Sequence, residues 1–475
     1  MKKNMSRRDF IKIASLTSGA AILAACKPTV TATEAPKVAD TAVAATPPPA
    51  EAVTITFTGW GGTEEDEGVK SAVKYFEGQN PNIKVTWIQI PENYAEKTMA
   101  MVAAGTSPDT AFIYNTLFQG YAKDGLLLDI TNSLKADPVI GVPGYFIEPQ
   151  ETERCTREGK WFGIGSCWVA PHIYYNADIF EKEGITPPSN SPEEAWTWDQ
   201  FLDIAKKLTI DVNGKHPGEA GFDQDNMQRW AVQWPTWSVP LHAAIASNGG
   251  KWLNQATGLI ELDKPQATEA LQKVADLMLV QQVSPRGTAF AALGLTNTQM
   301  LENGKLAMAI DGSWALSWIT KIKAKLGTAV CPKIVQPATD MQAHIHCGFA
   351  GSKFPGQAWE WLRFLGTEYY QLGFLKMGLW LPSQTALMTP EGMKKWYTER
   401  TAPGVGVHPA GYDKIVTEYV PKYGHVLYMP PGYLEADAII TPALDAVWIG
   451  DQTAEVAMKT AVPQANKVLE AAAKA

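Results

Sequence analysis

From Val53 the chain alternates apolar and polar residues through "VTITFTGW" and stops at Gly61-Gly62, the period of a half-buried strand. Val69, Ala72, Val73 and Phe76 then fall at i, i+3, i+4 and i+7, one face of a helix that Thr63 is placed to cap. "NPN" ends that helix, and "IKVTWIQI" (Ile83 to Ile90) reads as a second strand. A further helix is expected over Asn93 to Ala104, stopping at Gly105, and "PDTAFIYN" (Pro108 to Asn115) reads as a third strand. Strands alternating with helices predict an α/β fold, a parallel sheet covered on both faces. Ligands of such sheets bind beyond the carboxyl ends of the strands. Trp60-Gly61-Gly62 and Tyr114-Asn115-Thr116 stand at those ends.

The rest of the chain carries weaker signals. Gly159 to Asn176 reads as a long extended segment, Ser191 to Leu208 as a helix, and Arg229 to His242 as a segment crowded with aromatics. Ala267, Leu271, Val274, Leu277 and Met278 mark a helix over Lys264 to Gln281. The apolar run Leu306 to Ile310 breaks at Asp311-Gly312-Ser313, and Trp314 follows at once. Drawn as a helix, Trp314 to Leu326 aligns Ala315, Ile319, Ile322 and Leu326 as the buried stripe, with Trp314 roughly 110° away and Trp318 borderline. Trp314 is then either core beneath another loop or a flat ring free to stack on the C–H face of a sugar. Ala329 to Ala350 reads as extended, "GQAWEWLRFLGTEYYQLGF" as helical, and the C-terminus as a helix broken at Pro463. There is no internal repeat.

Length and charge narrow the class. A chain of 475 residues is long enough for two or more domains. The formal charge of -8 includes +4 from residues 1–25 (Lys2, Lys3, Arg7, Arg8 and Lys12 against Asp9), so residues 26–475 carry -12. A body so acidic repels phosphate backbones and disfavours nucleic acid as a partner. "SRRDFIK" followed by the apolar Ile13 to Ala25 reads as a twin-arginine signal peptide, too short to span a bilayer. "LAAC" puts Cys26 where a lipoprotein lipidation cysteine stands, and residues 26–51, rich in Pro, Thr and Ala, read as an extended tether. The expected product is exported, extracytoplasmic and lipid-anchored to the cell membrane. Cys155, Cys167, Cys331 and Cys347 either form disulfides or remain buried thiols.

The motifs from first strand to last, in this order, resemble the bacterial extracellular solute-binding proteins of ABC importers, in particular the sugar-binding group that includes maltose-binding protein. The segments that carry the resemblance are "VTITFTGW", "YFEGQNPNIKV", "AAGTSPDTAFIYN" with "QGYAKDGLLLDIT", "GKWFGI" with "IYYNADIF", "ENGKLAMAIDGSW" and the C-terminal helix. The resemblance implies a two-lobed, type II periplasmic-binding-protein fold with the ligand cleft between lobes joined by hinge strands. One lobe is then 52–165 plus about 350–385 and the other 170–345 plus about 425–475, with hinges near Gly165 to Pro171 and His344 to Ser352 and a return between Leu381 and His425. It also implies a saccharide ligand, permease subunits as partners, a monomer, no cofactor and no catalysis. Carried over position by position, it implies substrate contacts at Trp60, Tyr114, Asn115, Thr116, Trp168, Trp230, Trp234, Trp237, Asp311, Trp314, Tyr433 and Glu435. Leu117-Phe118 stand where the maltose-binding member has an Asp-Arg pair, and a glycine replaces a ligand-binding lysine, so maltose specificity is not implied.

Two other readings compete. The same fold binds peptides, polyamines or phosphate esters; a phosphate would bring a cationic cluster to the cleft, and a polyamine several carboxylates. A secreted glycoside-cleaving enzyme would need two converging carboxylates, for which Asp311 and Glu435 are the only candidates. His344 and His346 share one face of an extended segment at a metal-ligand spacing, but there is no third ligand on that face, and they read as structural histidines at a hinge.

Overall fold

A computed structural model describes residues 52–474. The twin-arginine motif, Cys26 and the tether lie outside the described residues. Two five-stranded sheets organise two α/β lobes. Their strands in chain order are β1 (Val53–Gly59), β2 (Ile83–Gln89), β3 (Thr110–Ile113), β4 (Ile164–Gly165), β5 (Pro171–Asn176), β6 (Ile210–Asp211), β7 (Met227–Gln233), β8 (Leu306–Gly312), β9 (Leu326–Ala329) and β10 (Ile345–Gly348). The first sheet has the order β2-β1-β3-β10-β4 and the second β9-β5-β8-β7-β6.

In the first lobe β1 runs parallel to β2 and β3, as alternating strands and helices require. β10, which returns from the other lobe, pairs antiparallel with β3 and β4, so the sheet is mixed. The period-2 pattern of β1 buries Ile55 and Phe57, and the helix Thr63–Gln79 buries Val69, Ala72 and Phe76 beside them. Trp361, from the helix Pro355–Leu365, meets the edges of both Phe57 and Phe76 at 5.2 and 5.0 Å between ring centres. Such edge-to-face pairs add about 0.5–1.5 kcal/mol each beyond the area they bury. Thr63 opens its helix without capping it; Gly62 holds the cap position and makes no side-chain bond.

In the second lobe β8 is flanked by β5 and β7, and Leu306 to Ile310 are wholly buried. An unbroken apolar run is what a strand covered on both faces needs. The helix Pro265–Leu279 packs against Ser238–Ser247 and against the C-terminal helices Tyr433–Trp448 and Ala454–Lys474. Pro463 does not break the last helix. It lies on the exposed face, where the carbonyl that loses its donor meets water. The helix expected over Ser191 to Leu208 starts only at Trp198, where Thr197 and Gln200 form a capping box. The helix expected over Trp314 to Leu326 is shorter still: Ser313–Ala315 and Leu316–Ile319 are single turns, and Leu326 opens β9. Arg400 takes the carbonyls of Thr320, Ile322 and Ala324, at 2.8, 2.6 and 3.3 Å, that a continuing helix would have bonded internally.

The chain passes between the lobes three times: as extended segments at 166–170 and 342–344, and again beyond Leu381, where Ser383, Gln384 and Lys395 still bond the first lobe and Arg400 reaches the second. Residues 166–170 link β4 to β5; Val169 exchanges backbone bonds with Gln342, at 2.8 and 3.2 Å, and Trp168 with Leu381, at 3.0 and 2.9 Å. The second hinge therefore does not run from His344 to Ser352. Ile345–Gly348 is an interior strand of the first sheet, and the crossing lies just before it, at residues 342–344. Cys155, Cys167, Cys331 and Cys347 are all free and buried.

Beneath the first crossing, Glu151 is fully buried and accepts from Arg154 at 2.7 and 3.0 Å and from the Gly165 amide at 2.7 Å. The Arg154 guanidinium in turn lies 3.6 Å from the centre of the Trp168 ring. Removing one partner of a buried pair leaves an uncompensated charge. Glu151→Ala is expected to lower unfolding stability by about 3–5 kcal/mol in urea titrations; a loss below about 1 kcal/mol would show that the pair does not hold this crossing.

Candidate functional site

A cleft of about 360 Å³ opens between the lobes, in front of the crossing segments, within the roughly 300–1,000 Å³ usual for small-ligand sites. Its walls come from strand ends. From the first lobe, Trp60 follows β1 and Tyr114 follows β3, and the two rings stack at 3.9 Å with 11° between planes. From the second lobe, Trp237 caps the helix after β7 and Trp314 follows β8, 5.6 Å apart. Trp318 and Trp380 complete the aromatic lining. A Cβ on Gly312 would sit 2.0 Å from the Trp314 ring, so only glycine lets this indole fold back over the end of β8. Trp237 and Trp318 stay 45% and 42% exposed, much for residues this apolar, because the space beside them is the cleft.

Trp60, Tyr114, Asn115, Trp237 and Trp314, all expected at the site, line this cleft. The other expected contacts do not. Trp168 is fully buried: along an extended segment side chains alternate, and here Cys167 and Val169 face the cleft while Trp168 points back to Arg154. Trp230 belongs to the buried face of β7, and Trp234 is core, 5.6 Å from Trp198 and 6.2 Å from Phe201. The Thr116 amide is held by Asn115 Oδ1 at 3.1 Å, and its side chain stays out of the lining. Asp311 stands at the end of β8 and accepts the Gly312 amide at 2.8 Å; burial raises its carboxyl to about 6. It does not line the cleft. Tyr433 is buried and Glu435 exposed on the first turn of their helix; the segment just before it, Leu427 to Met429, lies beside other open space.

Those residues border a second cavity of about 270 Å³, behind the point where Asn115 Nδ2 donates to Gln342 Oε1 at 3.3 Å. Asn115, Gln342 and Ala343 border both spaces. A third cavity, of about 510 Å³, shares Glu153, Gln255 and Val426 with the second.

Sequence reasoning missed Glu65, Trp318, Gln342, His344 and Trp380. His344, read as a hinge histidine, stacks on Phe112 at 3.9 Å, and burial lowers its pKa far below the ordinary value, so it lines the cleft as a neutral ring. Among the described residues no group of His, Cys, Asp and Glu is arranged to hold a metal ion. Glu65 is 8% exposed, and burial pushes its carboxyl up to about 8. Its neighbour Glu64 is held low by Lys321, which reaches across from the second lobe to 2.8 Å.

Residues 60–371 match the family described as bacterial extracellular solute-binding protein. The putative binding protein BAB2_0491 of Brucella abortus is 24% identical over 412 residues, covering 84% of this chain and 88% of that protein. An uncharacterised ABC transporter extracellular-binding protein of Pyrococcus horikoshii, PH1039, is 26% identical over 264 residues, 54% of each. Among solved structures, the ABC substrate-binding protein Lmo0181 of Listeria monocytogenes, in complex with cycloalternan, superposes with a TM-score of 0.73 at 22% identity, covering 88% of this chain and all of that one. Maltose-bound T. maritima MalE3 gives 0.69 at 20% identity with the same coverage.

The Glu65 carboxyl predicts a pH dependence in the absence of ligand. Its folded pKa is raised, so between the ordinary carboxylate value and about 8 the folded protein holds a proton that the unfolded chain has lost. Stability should therefore fall across that window, by on the order of 1.4 kcal/mol per pH unit at its steepest. Glu65→Gln should flatten this fall in the melting temperature; curves that run parallel from pH 5 to 8 would refute the assignment.

Proposed function

The chain belongs to the bacterial extracellular solute-binding proteins, and on that premise we propose that it captures a mono- or oligosaccharide for an ABC importer by closing its lobes over the ligand. The observation that carries this reading is the aromatic lining contributed by strand ends of both sheets. Trp60, Tyr114 and Trp380 stand on one side and Trp237, Trp314 and Trp318 on the other. Flat apolar rings facing each other across an open space suit the C–H faces of a pyranose, and Asn115, Gln342 and Glu65 supply groups for its hydroxyls. The succession of cavities through Asn115 and Gln342 leaves room for more than one ring. The sugars named for Lmo0181 and MalE3 agree with this class.

Closure follows from how the lobes are joined. Two of the three connections are short extended segments, so rotation needs small backbone changes at 166–170 and 342–344 and in the longer return beyond Leu381. The ligand supplies the driving force, because rings on both walls are satisfied together only when the lobes meet over it. The Glu64–Lys321 pair spans the mouth but is exposed, and such pairs contribute about 0.2–1 kcal/mol. That is too little to hold the closed form without ligand. Permease subunits then recognise the closed form, and a twin-arginine signal with lipidation at Cys26 keeps the protein exported and tethered beside them. Nothing in this cycle requires the ligand to be transformed.

A thermal-shift screen of residues 52–475 against mono- and oligosaccharides, peptides, polyamines and glycerol phosphates tests the reading. A saccharide at a hundredfold excess over its Kd should add about 2.7 kcal/mol. Trp314→Ala should abolish that shift, while Trp234→Ala should lower the unliganded melting point by core loss and leave the shift in place. A response to a non-sugar alone would discard the saccharide. In addition, small-angle scattering should show the radius of gyration fall when the saccharide binds; an unchanged radius would count against closure.

A further inference from the structure

Five acidic side chains among the described residues are buried: Glu65, Asp137, Glu151, Asp211 and Asp340. Four have donors within the protein. Asp137 accepts from Arg363 and from the Val139 and Ile140 amides, and Glu151 from Arg154 and the Gly165 amide. Asp211 accepts from three backbone amides, and Asp340 faces the His242 ring at 2.6 Å. Glu65 is the exception: it has no donor within the protein, and burial alone perturbs it. A buried carboxyl without a partner costs several kcal/mol when ionised, and nothing in the packing of the helix Thr63–Gln79 demands one there. Its neighbours behave differently: Glu64 and Asp66 sit further out in the same first turn and pair with Lys321 and Lys70. Complementing the positive end of the helix accounts for those two and does not require a third acid turned inward.

The setting of Glu65 points at the cleft. It lines the same space as Trp60, Tyr114 and Trp380. A Cβ on Gly61, whose φ is +129°, would lie 2.0 Å from Glu65 Oε2, so the backbone gives way to this carboxyl at the cleft wall. The lining holds no Lys or Arg, and the one cation at the mouth, Lys321, is taken by Glu64. Nothing at the cleft wall therefore supplies a counter-charge to an ionised Glu65.

We propose that Glu65 is the seat of an ammonium group and that the ligand is a cationic amino sugar rather than a neutral saccharide. The inference rests on the saccharide reading for the carrier and on Glu65 for the charge. An ammonium against Glu65 makes a charge-assisted bond in a water-poor site, and the surrounding rings add cation–π attraction. A neutral sugar would leave the carboxyl protonated and gain one ordinary hydrogen bond. Cation binding must then expel the Glu65 proton, which gives the inference its own signature. The other titratable groups around Glu65 are Tyr114, Cys167 and Tyr370, whose pKa values its negative charge raises, together with Glu64 and the neutral His344. None of these releases a proton near pH 6.5.

The test compares a β-1,4-linked glucosamine disaccharide with its N,N′-diacetyl form by titration calorimetry at pH 6.5, in phosphate and in Tris. The basic disaccharide should bind about tenfold more tightly than the acetylated one, and its heat should change with buffer as the release of about one proton requires. In Glu65→Gln the preference and the proton release should both disappear. Equal affinity of the two disaccharides, or a preference that survives Glu65→Gln, would overturn the inference and leave the saccharide reading standing. Binding of putrescine with Glu65-dependent proton release, and of no saccharide, would support the ammonium seat and remove the sugar instead.

Discussion

Three extended segments laid side by side between two sheets are the constraint on which the rest of the molecule depends. Residues 166–169 form the middle one, bonded to Gln342 and His344 on one side and to Leu381 on the other. Because extended backbone alternates its side chains, this one segment sends Cys167 and Val169 into the cleft and Trp168 behind it. Trp168 is then fixed by the Arg154 guanidinium, itself neutralised by Glu151, which also holds the Gly165 amide. The connection is thus stiff in register and free in bend.

The site inherits its geometry from this arrangement. In each sheet the strands that precede these rings, β1, β3, β7 and β8, end toward the crossing, so Trp60, Tyr114, Trp237 and Trp314 converge although they are far apart in sequence. Several of these rings are held by other rings: Trp60 stacks on Tyr114 and meets the edge of the buried Phe112, and Trp314 lies 5.6 Å from Trp237. Rings held in this way have little conformational freedom left to lose on contact. Against that apolar lining Glu65 stands out, a nearly buried carboxyl with no cation of the protein's own.

What could be read from the sequence followed from period and punctuation. The alternation of Val53 to Trp60 and the helical face from Val69 to Phe76 placed β1 and its helix, and a glycine or tryptophan at each strand end marked the cleft side. The same reasoning erred wherever one residue of register mattered. It assigned Trp168, Trp230 and Trp234 to the cleft because they lie in the right segments, but a strand has two faces and a turn of helix turns its side chains by about 100° per residue. It extended a helix from Trp314 to Leu326 because the apolar stripe fits, whereas Arg400, 74 or more residues away, takes the carbonyls that helix would need.

Local composition by itself determined the elements, their alternation into an α/β chain and the aromatic character of the strand ends, since each depends only on residues a few positions apart. The tertiary structure decided which of those aromatics look into the cleft. It also decided that β10 enters the first sheet antiparallel, and that Glu65 became nearly buried without gaining a partner. Those outcomes depend on what other segments bring to the same place, and no local pattern records that: burial and pairing are properties of neighbours in space.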